Sequence, residues 1–194
     1  MVITANGAIE IDDTDGVAAV TLDSNNTVSV VGEITMTETD NAQGILIKDG
    51  FSGSVTVSGD IVFDDGYTRE DDDDDKDLDG PYAVGVNRTG ILLESGGVFT
   101  GDINIQPGGV IDVEGNQSAG IVLNSELDGS LVLDGTIEVL GDDALGIGIR
   151  ENVSGDVLLS GTISAKGEDA AGVVVTGAVD GLFTNEGVIT STGF

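Results

Sequence analysis

The chain reads as an all-β fold, a parallel β-helix of about seven coils of about 26 residues with three short strands each. Three observations lead there. First, a Gly-x-Ile triplet recurs from end to end, at Gly7, Gly32, Gly59, Gly101, Gly135, Gly161 and Gly187, in steps of 25, 27, 42, 34, 26 and 26 residues. A repeat of 20–50 residues is the mark of a solenoid or array. Second, apolar residues inside each repeat alternate with a period of two, which belongs to strands. Third, the chain carries 31 Gly against two Pro, 4% aromatics and no Trp. That composition suits many tight turns around a thin core of β-branched side chains.

The clearest units begin at Ala119, Ala144 and Ala171. Each opens on a first apolar piece, Gly-Ile-Val-Leu, Gly-Ile-Gly-Ile or Gly-Val-Val-Val. A second piece follows, Ser-Leu-Val-Leu, Asp-Val-Leu-Leu or Gly-Leu-Phe-Thr, and a third comes after the repeated glycine: Thr-Ile-Glu-Val, Thr-Ile-Ser-Ala or Val-Ile-Thr-Ser. Ile121 with Leu123, Leu131 with Leu133 and Ile137 with Val139 are placed inward; Glu138 and Ser164 are placed outward. Asn-Ser-Glu-Leu-Asp-Gly, Asp-Gly and Gly-Asp-Asp between the pieces are turn chemistry. Helix is disfavoured by glycine frequency and β-branching. One coil cannot bury its own interior, but stacked coils can, at ~4.8 Å per coil. A propeller blade would need about 40 residues and aromatic signatures, and a sandwich gives no reason for evenly spaced glycines.

The 194 residues form a single solenoid domain, 1–194, with two interruptions expected from the long steps. The 42-residue step places an acidic insertion at about 64–80, and the 34-residue step places a smaller one at about 107–115. Within the first, Asp75, Asp77 and Asp79 followed by Gly80 match D-x-D-x-D-G, the opening half of a calcium loop. Alternating carboxylates converge on one hard cation when a glycine permits the turn. The twelfth position is Val86, so the usual bidentate Glu is missing; Asp71, Asp72, Asp73 and Asp74 are alternate oxygen donors. Calcium is therefore the one cofactor the sequence suggests, beside the reading of a plain solvated acidic loop.

Six Lys plus Arg against 36 Asp plus Glu give a net charge of −30. Nucleic acid and anionic lipid need a basic footprint, so neither is an expected partner. No run is long enough for a membrane-spanning helix, and no signal peptide is visible at the start. There is no Cys and no His, which removes disulfides and the commonest nucleophile and base. Asp12–Asp13, Asp64–Asp65 and Asp142–Asp143 are the carboxylate pairs a polysaccharide-cleaving enzyme would need. With 36 acids such pairs arise by chance, so no catalytic residue is assigned.

Ala-x-Gly-Ile-x-Ile, a glycine-rich corner, then Gly-Thr-Ile-x-Ala-x-Gly, carried best by residues 144–167 and 171–192, resembles passenger regions of Gram-negative autotransporters. The resemblance implies a right-handed β-helix at the bacterial cell surface, anchored at the outer membrane by segments outside this chain. It also implies a non-enzymatic role in adhesion, with a host-surface or neighbouring-cell ligand as partner. The alternative is a subunit of a surface filament, sheath or layer that self-associates end to end. A polysaccharide-binding or -cleaving β-helix is the lesser alternative.

Overall fold

The computed structural model describes residues 1–68 and 81–193. Their strands form three long parallel sheets and one two-stranded parallel sheet; in the long sheets each strand pairs with its counterparts one coil before and after, the end strands on one side only. Sheet I has seven strands: Ala8–Asp12, Glu33–Thr37, Asp60–Asp64, Val110–Glu114, Thr136–Leu140, Thr162–Lys166 and Val188–Thr192. Sheet II has six: Ala18–Leu22, Gln43–Ile47, Thr89–Leu93, Ala119–Leu123, Leu145–Ile149 and Ala171–Val175. Sheet III has seven, from Val2–Ile3 through Thr27–Val30, Ser54–Val57, Ile103–Ile105, Leu131–Leu133 and Val157–Leu159 to Phe183–Asn185. The result is an all-β parallel solenoid of about seven coils with no helix among the described residues.

Register puts like on like. Ile34, Ile61, Ile111, Ile137, Ile163 and Ile189 follow Ile9 in one row of sheet I. In sheet II, Ile45, Ile91, Ile121 and Ile147 form a second row between Val20 and Val173. Both rows are fully buried through the middle coils. Each such side chain contributes about 1.5–3 kcal/mol on burial, which is how a chain without disulfides offsets its chain entropy.

Two glycine rows make this stacking possible. A Cβ on Gly135, Gly161 or Gly187 would fall on the carbonyl oxygen of Gly109, Gly135 or Gly161 in the preceding coil. The triplet glycine thus marks where consecutive coils approach too closely for any side chain. The second row is Gly44, Gly90, Gly120, Gly146 and Gly172. There a Cβ would fall on Cγ2 of Ile61, Ile111, Ile137, Ile163 or Ile189, the isoleucine of the next sheet I strand along the chain. The Ala-Gly-Ile and Gly-x-Ile motifs are therefore two halves of one contact: a glycine leaves the space that an isoleucine fills.

One expectation is corrected. Gly101-Asp-Ile103 is not a member of the triplet row; Ile103 lies in sheet III, paired with Val55 and Leu131. The sheet I position belongs to Gly109-Val-Ile111, with Ile111 between Ile61 and Ile137. The segment 107–115 is consequently no insertion: Val110–Glu114 is a regular strand, and only the turn Pro107-Gly108 lengthens that corner. The extra length collects elsewhere. Residues 65–88 number 24 where the preceding coil has five, 38–42, between the equivalent strands. A smaller difference lies between sheets II and III, where Val98–Thr100 pairs with Glu126–Asp128. Single bridges from Ser52 to Thr100, from Leu127 to Val153 and from Val153 to Val179 extend this fourth line. It places Phe99, Leu127 and Val153 in the core.

The glycine–isoleucine contact predicts a specific coupling. Gly120→Ala should destabilise by about 1–3 kcal/mol through overpacking. Combining it with Ile137→Ala should cost less than the sum of the two single changes, because the clash and its target vanish together. Urea unfolding of the four proteins in this cycle measures both quantities.

Candidate functional site

A long departure from the coil lies between sheets I and II in the third coil, and its described ends are fastened to the solenoid by buried charged side chains. Asp65, directly after the strand Asp60–Asp64, is 6% exposed. Its Oδ1 accepts from the Tyr67 N–H at 2.9 Å. Its Oδ2 accepts from the Val84 N–H at 2.7 Å and the Gly85 N–H at 3.5 Å. One carboxylate therefore ties the outgoing chain to the returning chain. Beside it, Asp64 Oδ1 accepts from the Gly66 N–H at 2.7 Å, a turn closed by an Asp side chain.

Arg88 closes the returning side. It is 1% exposed, and it stands one residue before Thr89, in the inward row that Ala42, Ser118 and Ala144 occupy in neighbouring coils. Its Nε donates to the Thr39 carbonyl at 2.6 Å and its Nη1 to the Glu114 carbonyl at 2.7 Å. Its Nη2 lies 3.5 Å from Asp40 Oδ1, and its backbone N–H donates to Ser118 Oγ. A buried guanidinium needs this many partners, since an unpaired one would cost several kcal/mol. Gly85 is required here: a Cβ would fall on the guanidinium carbon of Arg88. Asn116 Nδ2 donates to the Ala83 carbonyl at 3.0 Å, and the Asn116 N–H to the Gly85 carbonyl at 2.7 Å, which fixes the return to the next coil. A groove of about 280 Å³ remains, lined by Glu38, Asp40, Asp65, Val84, Gly85 and Arg88.

Carboxylate oxygens of Asp64, Asp65 and Glu114 lie within 4.8 Å of one another at this fastening. The donor type suits a hard divalent cation, but calcium takes six to eight oxygens. Asp65 already spends its oxygens on three backbone N–H groups. The arrangement is better fitted to holding backbone than to caging calcium. The sequence-derived candidates Asp75, Asp77 and Asp79, with Asp71, Asp72, Asp73 and Asp74, lie outside the described residues.

The other acidic pairs sit at coil corners. Asp142 Oδ1 accepts from the Glu168 N–H at 3.1 Å, while the Asp142 N–H donates to Asn116 Oδ1 at 2.8 Å. Asp15 and Asp40 repeat the pattern, accepting from the N–H groups of Asp40 and Val86. Asp13 and Asp143 take left-handed backbone angles, with φ of 48° and 55°, a conformation Asp tolerates better than most residues. On the outer surface of sheet I stand Glu10, Asp12, Glu33, Asp60, Asp64, Asp112, Glu114 and Glu138, facing one base, Lys166.

The clasp of Asp65 and Arg88 was not singled out from the sequence. Its signal was an arginine in a row otherwise filled by Val, Ala and Ser, immediately after the insertion. Fold and site together define a parallel β-solenoid carrying one clasped insertion. Comparison of the chain with protein-family models, with curated proteins and with solved structures gives no match.

The clasp predicts a large cost for its loss. Arg88→Ala should destabilise by about 3–5 kcal/mol, and Arg88→Lys should restore little, because an ammonium cannot span the Thr39 and Glu114 carbonyls with a planar fork. Denaturant midpoints of the three proteins measure this.

Proposed function

We propose that the chain is a non-enzymatic extracellular protein of the bacterial surface, in which a passenger-type β-helix presents the acidic insertion to a host-surface or neighbouring-cell ligand. The observation that supports this reading most is the clasp. A rigid stack of coils spends a buried arginine and a buried aspartate on fixing the two ends of a single inserted segment. Insertions into repeat arrays lie on one face and often carry binding. The acidic corners, by contrast, are explained by hydrogen bonds to backbone in the next coil. Calcium belongs to this proposal as the ion that the Asp75, Asp77 and Asp79 sequence would take, and basic or cation-bridged surfaces are the partners a −30 chain favours.

A second reading, self-association end to end, has its own observation. The last coil exposes Leu182, Phe183, Val188 and Ile189 at 71, 43, 59 and 37%, together with strand edges that a further coil or a second copy would cover.

Exchanging residues 65–88 for a copy of residues 38–42 tests the first reading. The exchanged protein should keep its strand dichroism, and beads coated with it should lose attachment to cells that bind the natural chain. Attachment equal to that of the natural chain would refute the reading. In the natural chain, calcium at up to about 10 mM should slow proteolysis at Lys76. Light scattering of the same samples addresses the second reading: mass growing with concentration in both proteins would favour it.

A further inference from the structure

We propose that the outer face of sheet II is a binding site for a neutral, hydroxyl-rich glycan chain. A surface groove of about 370 Å³ crosses coils two to five on this face. Its floor is Leu92 and Val122, the latter only 4% exposed. Its walls are amides and the Thr89 hydroxyl, with Arg150 at one end. The groove takes Asn87 from the segment 65–88, and the proposal stands or falls independently of the adhesive reading.

Charge is the first reason. In coils two to five the outward positions of sheet II and its two borders carry Lys48, Glu94, Asp143 and Arg150, two charges of each sign. Lys48 and Glu94 pair with each other. Sheet I, over its whole length, sets eight carboxylates against one lysine. A chain of net charge −30 thus keeps one face electrically balanced, which suits an uncharged ligand and leaves no attraction for a polycation.

The amides are the second reason. Asn41, Asn87 and Gln117 occupy the same corner of successive coils with φ of 52°, 55° and 54°. Turn chemistry explains Asn at such angles, and it explains Asp143 and Asp169 at the equivalent corners of the next two coils. It does not explain Gln117, whose longer side chain has no local reason to favour a left-handed backbone. Strain of this kind collects at functional positions. Asn87 Nδ2 donates to Asn41 Oδ1 at 3.1 Å, and Arg150 Nη1 donates to Asn124 Oδ1 at 3.1 Å, so the row is aligned in advance. Each amide offers both donors and an acceptor, the complement of a hydroxyl that donates once and accepts twice. Coils repeat at ~4.8 Å, so equivalent groups recur along the axis as sugar units recur along a glycan.

Backbone topology argues against a peptide here. The N–H and C=O groups of these strands are consumed by pairing between coils. Strand addition needs a free edge, and this is a face. The remaining recognition must come from side chains, and aliphatic Leu92 and Val122 offer the C–H surface on which a sugar ring rests.

NMR titration of the whole chain with neutral gluco-, manno- and galacto-oligosaccharides, and with oligogalacturonate as the acidic control, tests the proposal. At least one neutral oligosaccharide should shift the Gln117 and Asn124 side-chain amide signals saturably at about 10 mM or below. The double variant Gln117→Ala, Arg150→Ala should weaken that binding about tenfold or more while its unfolding midpoint stays unchanged. No shift with any neutral oligosaccharide, binding of oligogalacturonate alone, or equal binding by the double variant would each overturn it.

Discussion

Everything in this molecule depends on how closely one coil can lie on the next. The spacing is set by backbone pairing at ~4.8 Å, and it leaves no room for a Cβ where the triplet glycines stack on carbonyl oxygens. A second glycine row then receives the sheet I isoleucines from across the corner. These two vacancies put aliphatic side chains of successive coils in file, and the file is the core. Packing of this density turns a run of short strands, each too small to be stable alone, into one cooperative stack.

The acidic skin follows from the same geometry. A corner leaves backbone N–H groups of the next coil facing outward, and each needs an acceptor. Asp15, Asp40, Asn116 and Asp142 supply it on one corner; Asp102, Ser130 and Asp156 supply it on another. A carboxylate accepting from backbone N–H is a charge-assisted hydrogen bond, stronger than a neutral one. Like charges one coil apart repel by about 0.9 kcal/mol in water before screening by salt. The hydrogen bond offsets that repulsion, so corners can carry acid coil after coil. Arg88 and Asp65 apply the same device with buried partners, where the chain departs from its period.

Much of this was legible in the sequence because it is periodic. Isoleucines one period apart announce a file, and alternation inside each piece announces which side chains turn inward. Ile103 misled for a physical reason: sheet III also begins after a glycine, since Gly101 likewise approaches the Gly53 carbonyl of the preceding coil. Gly-x-Ile is thus a signature of close approach in general and not of one sheet. The true partner, Gly109-Val-Ile111, was present but followed Pro107-Gly108 and fell within the insertion expected at about 107–115. The fourth inward line escaped notice because Phe99, Leu127 and Val153 are single apolar residues without an alternating neighbour, although Leu127, Val153 and Val179 stand one period apart. The clasp was invisible to any periodic reading, since it exists only where the period breaks.

Register is the claim from which the core, the corners and both surfaces follow, and engineered cysteines test it most directly in a chain that has none of its own. Thr136 and Thr162 face outward as direct partners in sheet I. At ~4.8 Å they fall inside the Cα separation a disulfide requires, about 4.4–6.8 Å. Thr136 and Ser164, two residues further along, fall outside it. Mild oxidation should cross-link the variant Thr136→Cys, Thr162→Cys rapidly and leave Thr136→Cys, Ser164→Cys reduced. Equal cross-linking of both, or none of the first, would contradict the stacked register.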